Sequence, residues 1–195
     1  MKKLFLLLIL FQIPLAAQGI RFGEAKGLFM SVGVGPKIPI GKFADRYNLG
    51  VGFDVTFSYT DNELLPVFFY SSLGFQHFPG RQNFYKKSDY SSISNNVIVY
   101  NAGARYYFSP LIENIVLLMP VIEGGFSFSY FETSHQFKLD RGKDDYVEQV
   151  GKIGFHIGAG VSMFMLDAVT RYNYLPDKQY ISFDLRVRIP IFVTI

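Results

Sequence analysis

Three histidines, 16 acidic residues and not one cysteine define the chemistry open to this chain. The lack of thiols excludes disulfides, thiolate metal sites, a cysteine nucleophile and a lipid anchor on an N-terminal cysteine. His77, His135 and His156 stand far apart, and none belongs to a His-Glu-x-x-His or comparable zinc spacing. Ser134 and His135 are adjacent, with Asp140, Asp144 and Asp145 close behind. A nucleophile and its base are defined by geometry rather than adjacency, and a solvated polar loop is the plainer reading. Lys138, Asp140, Arg141, Lys143, Asp144 and Asp145 alternate in sign without the ordered ligand spacing of a calcium loop. The pairs Gly33/Gly35, Gly50/Gly52 and Gly158/Gly160 lack the strand-to-helix setting of a phosphate cradle and read better as room on a crowded face. No catalytic residue, metal site or cofactor is expected, and the chain is not expected to be an enzyme.

The elements that must position the remaining charges are strands. Val51, Phe53, Val55, Phe57 and Tyr59 alternate with Gly52, Asp54, Thr56 and Ser58. Ile153, Phe155, Ile157, Ala159, Val161 and Met163 oppose Gly154, His156, Gly158, Gly160 and Ser162; Ile181, Phe183, Leu185, Val187 and Ile189 oppose Ser182, Asp184, Arg186 and Arg188. Successive side chains of a strand lie on opposite faces, so each segment has one apolar and one small or polar face. Weaker alternation at 28–37, 67–78, 97–108, 121–131 and 168–174 brings the expected number of strands to eight. Pro66, Pro110 and Pro120 fall at or just before strand starts, where a missing N–H is tolerated. Pro190 predicts that pairing of the last strand ends near it. The connections 38–49, 79–96 and 132–152 read as long polar loops, whereas 60–65 and 164–167 read as tight turns, as in an up-and-down meander. Connection 109–119 is intermediate, and 175–179 is short.

Residues 1–17 have the layout of an export signal. Met1-Lys2-Lys3 is positive, Leu4–Leu10 is apolar and continues to Ile13, and Pro14-Leu15-Ala16-Ala17 leads to cleavage after Ala17. Its apolar run is about half of the ~20 residues a membrane-spanning helix needs. Residues 18–195 form one domain. Without Lys2 and Lys3 the excess of basic over acidic residues falls from three to one, too small to imply a nucleic-acid partner.

Alternation alone fits a soluble sandwich and a membrane barrel equally. The non-apolar face carries Gly, Ser, Thr and Asn rather than Lys and Glu, and only 18% of residues are charged against 49% hydrophobic. Tyr59, Phe75, Phe78, Tyr106, Phe108, Phe128, Tyr130, Tyr172 and Tyr174 gather at strand ends, as the aromatic girdles of a membrane barrel do. Segments of about 9–12 residues match the length a tilted strand needs to cross a bilayer. The fold expected is all-β: an eight-stranded antiparallel up-and-down transmembrane β-barrel. Gly33-Val34-Gly35-Pro36-Lys37-Ile38-Pro39-Ile40-Gly41-Lys42-Phe43 followed by Asn48-Leu49-Gly50-Val51-Gly52 resembles the opening hairpin of small bacterial outer-membrane barrels of the OmpA/OmpX type. Asn101-Ala102-Gly103-Ala104-Arg105-Tyr106-Tyr107-Phe108 is similar to their fourth strand, and Gly158-Ala159-Gly160-Val161 to their sixth. The resemblance implies an outer-membrane location in a Gram-negative cell and a periplasmic N-terminus. The ending Phe192-Val193-Thr194-Ile195 departs from the terminal Phe common in such barrels.

A barrel of eight strands is only wide enough for side chains to fill it. Parity turns Asp54, Arg105, Glu123, Lys152, His156, Arg171, Asp184, Arg186 and Arg188 inward. Buried charges must be paired or hydrogen-bonded, so the candidate site is a network of Asp54, Arg105, Glu123, His156, Asp184 and Arg186. In it Glu123, Asp54 or Asp184 hold Arg105 and Arg186. Such a network plugs the lumen, or else lines a narrow path that slightly prefers anions. The expected partners are outer-membrane lipid and lipopolysaccharide, the latter through the cations and aromatics of 81–87, and a protein partner through loops 79–96 and 132–152. The role implied is structural, adhesive or porin-like. A barrel enzyme acting on membrane lipid, an accessory subunit of a secretion or uptake complex and a soluble periplasmic sandwich remain as alternatives.

Overall fold

In lipid the backbone has no water to bond with, so a sheet can span a membrane only if its last strand returns to its first. The computed structural model describes residues 26–61, 65–111, 118–139 and 142–194. The export segment 1–17, Asp140, Arg141 and Ile195 lie outside the described residues. Eight strands follow one another: β1 (Lys26–Pro39), β2 (Gly50–Asp61), β3 (Leu65–Pro79), β4 (Tyr90–Tyr107), β5 (Leu118–Phe137), β6 (Tyr146–Met163), β7 (Leu166–Tyr174) and β8 (Tyr180–Thr194). Each pairs antiparallel with the next, and β8 closes on β1. Among the described residues no helix is long and apolar enough to cross a membrane.

The two faces of this ring are chemically opposite. Val34, Phe53, Leu73, Ile98, Phe126, Ile157 and Leu185 point outward and are each between 45% and 60% exposed. Thr56, Ser127, His156 and Arg186 point inward and are buried. A protein surrounded by water does not carry a continuous apolar band of this extent. The apolar face therefore meets lipid and the polar face fills the barrel.

Several strands are longer than their alternation suggests. The loop read as 132–152 is mostly strand, and that read as 79–96 yields 90–96 to β4; the connections themselves are 80–89 and 138–145. The reason is a change of the pattern at one level of the wall. Phe75, Ile98 and Tyr130 face outward in register, and the next outward row is His77, Asn96, Glu132 and Gln149. His77 Nδ1 lies 2.8 Å from Asn96 Oδ1, and Gln149 Nε2 donates to Glu132 Oε2 at 3.3 Å. Beyond that row the outward side chains are mostly polar, and the inner face mixes Ile93 with Asn95, Thr133 and His135, all buried, above the apolar Val97 and Phe131. Phe78, expected in a girdle, belongs to this inner cluster. Pro190 does not end β8 either. Phe29 pairs with Pro190 and Leu28 with Phe192, so a bulge accommodates the missing N–H and pairing resumes.

The loop end is closed by short helices. α1 (Lys42–Arg46) follows Gly41, whose φ of 57° turns the chain inward, and drives Phe43 into the cluster of Tyr47, Phe78, Phe131, Leu175 and Tyr180. α2 (Gln82–Lys86) packs Phe84 and Tyr85 against the same cluster. Asn48 N donates to Pro79 O and Arg81 N to Arg46 O, joining the two helical loops.

Leu73 sits near mid-height of the wall, paired with Val55 and Tyr100. Leu73→Arg is expected to cost about 2–4 kcal/mol of folding into lipid vesicles, and Leu73→Met little. Urea titration in vesicles measures both; equal stability of the two variants would reverse the assignment of the faces.

Candidate functional site

The interior network is built by register. Glu123 on β5 stands opposite Arg105 on β4 and Gly158 on β6, and Gly158 stands opposite Arg171 on β7. A Cβ at Gly158 would lie 2.9 Å from Arg171 Cγ and 3.2 Å from Glu123 Cγ. The glycine thus opens the path by which Arg171 reaches across to the Glu123 carboxylate. Arg105 Nε donates to Glu123 Oε2 at 2.8 Å, and Arg186 Nη1 lies 3.6 Å from the same oxygen. One carboxylate faces three guanidiniums.

Gly33 serves Arg186 in the same way. It lies between Asp54 on β2 and Arg186 on β8, and a Cβ there would meet Arg186 Cγ at 2.7 Å. Arg186 Nε then lies 3.4 Å from Asp54 Oδ1, and its Nη2 3.5 Å from Asp184 Oδ2. The structure thus brings the five charged residues of the candidate network together. His156 joins them through hydrogen bonds alone. Its Nε2 meets the Tyr70 hydroxyl, and its Nδ1 lies 2.8 Å from Ser127 Oγ, which donates to Asn101 Oδ1. The Tyr70 ring lies beneath Arg105 and Arg171, 5.3 and 5.9 Å from their guanidinium carbons.

Two members escaped the sequence reading. Lys37, at the end of β1, pairs with Asp184; it shares the parity of Gly33 and Gly35, which was signal enough. Asp167 receives Arg188 Nη2 at 2.5 Å and Arg105 Nη1 at 3.3 Å. It had been placed in a turn, but that turn is only Phe164-Met165 and β7 begins one residue before Asp167. With these two the cations Lys37, Arg105, Arg171, Arg186 and Arg188 face Asp54, Glu123, Asp167 and Asp184. The gap among Lys37, Asp54, Asn101, Arg171 and Asp184 measures about 10 Å³, space for at most about one water.

A second group of side chains meets at the loop end. A cavity of about 500 Å³ is lined by Lys42, Asp45 and Arg46 around α1, His135, Glu148 and Lys152 on the strands, and Asp177 and Lys178 in the β7–β8 turn. Lys152, expected in the lumen, lies in this mouth instead. His135 is in β5 rather than in a loop. It is buried, stacked on Tyr146 at 4.4 Å and 3.3 Å from Glu148, while Ser134 points to the opposite face. The adjacency of Ser134 and His135 therefore makes no nucleophile–base pair. Asp145 accepts from Phe137 N and Lys143 pairs with Asp89, both at 2.8 Å, as structural contacts of the 138–145 loop. In the turn, Pro176 and Asp177 (φ 62°) occupy the central positions and Lys178 N donates to Leu175 O. Buried Leu175 anchors that turn, so Lys178 is held over Phe131, 4.4 Å from its ring centre. Burial lowers the Lys178 pKa to about 8; Glu148 opposes this, and Lys152 and Arg46 add to it.

This is the architecture of a small transmembrane β-barrel with a filled lumen and a structured mouth. A scan against protein-family models matches none, and a search of curated proteins finds no match. Solved structures do match in fold. Neisserial surface protein A is 16% identical with a TM-score of 0.55, over 85% of this chain and 97% of that one. Ail, the attachment invasion locus protein of Yersinia pestis, solved in complex with the heparin analogue sucrose octasulfate, is 16% identical with a TM-score of 0.50, over 85% and 99%.

Two outcomes follow from this geometry. Glu123→Gln leaves three buried arginines short of their shared anion and is expected to cost about 3–5 kcal/mol in vesicle-folded protein. Asp54→Asn, which leaves Arg186 with Asp184 and Glu123, costs less, and equal costs would remove Glu123 from the centre of the network. Lys178, followed by NMR of ¹³C-methylated lysines, titrates with a midpoint of about 8. Lys152→Met removes a repelling cation and raises that midpoint, whereas Glu148→Gln removes an attracting carboxylate and lowers it.

Proposed function

We propose that the chain is an outer-membrane protein, exported by its N-terminal signal, whose barrel is a closed scaffold rather than a channel or an enzyme. Its role is structural and adhesive, with the loop end presented outside the cell. The observation that carries this reading is the filled lumen. Below the apolar cluster the cations and carboxylates interlock, and the gap among Lys37, Asp54, Asn101, Arg171 and Asp184 holds about 10 Å³, room for about one water. Catalysis finds no support in the site either, since His156 is engaged by Tyr70 and Ser127 in the packed interior and faces no open cavity. The lipid-facing belt supports residence among outer-membrane lipids, and the polar surfaces of 80–89 and 138–145 are where lipopolysaccharide or a protein partner would be met. The attachment named for Ail gives an adhesive role a precedent on this fold.

Two measurements test the proposal. Membrane-extracted protein is expected to run as a compact band in cold SDS and to shift on boiling; a freely soluble protein without that shift would refute the membrane barrel. Reconstituted in a planar bilayer, it is expected to pass no discrete current steps. Reproducible steps would replace the closed scaffold by a narrow pore.

A further inference from the structure

The cavity at the loop end has a charge arrangement unlike that of the lumen. Three elements each contribute a cation to its wall: Arg46 from the last turn of α1, Lys152 from the inner face of β6 and Lys178 from the β7–β8 turn. Lys42 is 3.2 Å from Asp177, and Glu148 is engaged with His135. Among the described residues no carboxylate oxygen lies within salt-bridge distance of Arg46, Lys152 or Lys178. Of the other carboxylates on the wall, Asp45 and Glu148 are solvent-exposed, and Glu148 acts on Lys178 from beyond ion-pair distance. Lys178 is half-buried and rests on aromatic rings, with Asn95 Oδ1 as its acceptor at 3.1 Å in the amide orientation that satisfies both ends of that side chain. An ammonium has three donors, so two remain without a protein acceptor among the described residues.

We propose that this cavity binds a tetrahedral oxyanion, a phosphate or sulfate group carried by a small molecule, with Arg46, Lys152 and Lys178 as its ligands. Three convergent cations match the several acceptor oxygens of such a group. The volume is within the ~300–1,000 Å³ of small-ligand pockets. Burial is the main cause of the lowered Lys178 pKa, with Lys152 and Arg46 adding to it against the pull of Glu148, so a further anion beside the ammonium would raise it.

Beside the cavity one strand edge is unpaired among the described residues. Between Tyr146 and Gly154, β6 pairs with β5 but has no strand partner among the described residues on its other edge, because β7 ends at Tyr174, opposite Phe155. The stacked Phe155 and Tyr174 lie just below this gap, at the last paired position of the two strands. A phosphate of an outer-leaflet lipid and a soluble phosphate ester can therefore both approach. The inference rests on the barrel reading above, with this end in water.

The test uses the full mature chain folded in phosphatidylcholine nanodiscs, with ¹³C-methylated lysines and the Lys178 signal assigned through Lys178→Met. Inorganic phosphate and sulfate are titrated against chloride at equal ionic strength, and a second arm replaces part of the lipid with phosphorylated lipid A. The expected result is a saturable shift of the Lys178 signal, with its titration midpoint raised above 8 and binding about tenfold weaker in Lys152→Met. Response to inorganic phosphate supports the site with a soluble ligand; response only with lipid A supports it with a membrane lipid. No response in either arm, or an equal response to chloride, overturns the site. An undiminished response in both Lys152→Met and exposed Arg46→Gln overturns it as well. Cold-SDS mobility is recorded on every sample: a folded band without binding rejects the site alone, and absence of the band from wild type rejects the barrel and the site with it.

Discussion

At the waist of the barrel the Glu123 carboxylate is shared by Arg105, Arg171 and Arg186, and much of the interior follows from that sharing. Taking three guanidiniums out of water is tolerable only when their charge is met at close range and their donors find acceptors. Glu123 cannot do this alone, so Asp54, Asp167 and Asp184 stand on the far sides of the same arginines. Glycine then becomes necessary at the crossings. Without Gly158, Arg171 could not lie across β6, and without Gly33, Arg186 could not lie between β1 and its neighbours. The network also locks register. A slip of one residue on β5 would turn Glu123 to lipid and leave the arginines without their anion.

The closed ring satisfies a different requirement, that of the backbone. Every strand pairs with a neighbour on both sides, β6 with β7 from Phe155 onward, and the bulge at Pro190 shows how a residue without an N–H is kept in the wall. Outside, large apolar side chains are left uncovered; inside, the space is too narrow for anything but side chains. A chain satisfying both demands has little freedom in which face carries charge.

For that reason the fold was legible. Within the belt, strict alternation in β2, β6 and β8 marked strands, faces and the inward set, and the parity that put Asp54 and Arg186 inside also put Phe53 and Leu185 outside. Ion-pair partners were legible only as a set, because pairing depends on register across strands that parity does not supply. Asp167 was lost at a strand end, where one residue of boundary error removes a site, whereas Lys37 lay within the expected strand 28–37 and its inward parity went unused. The mouth was harder to read. Lys178 sits there because Leu175 is anchored and Asp177 takes a positive φ, and nothing in Leu-Pro-Asp-Lys announces a cation held over Phe131. Burial of Tyr47, Phe43 and Leu175 in one cluster is a tertiary fact.

The strand residues 90–96, 132–137 and 146–152 read as loop for a single physical reason. An outward apolar residue is favoured only where lipid waits for it. Above the row of His77, Asn96, Glu132 and Gln149 the same strands continue into water, the outward side chains turn mostly polar, and the inner face mixes Ile93 with Asn95, Thr133 and His135. At the crossing the two patterns are out of phase, so a reading that follows one apolar face sees it dissolve and infers a loop. The change has structural consequences. An overhanging wall with a partly apolar interior needs a filling of its own, and Phe43, Tyr47 and Leu175 from the connecting loops supply it. Where β7 stops short, that filling is incomplete on one side, and cations that would be intolerable in lipid can line the gap because water reaches them. The ionic waist and the cationic mouth are thus two answers to the same question, how charge is accommodated inside a narrow sheet, given with lipid outside in one case and water in the other.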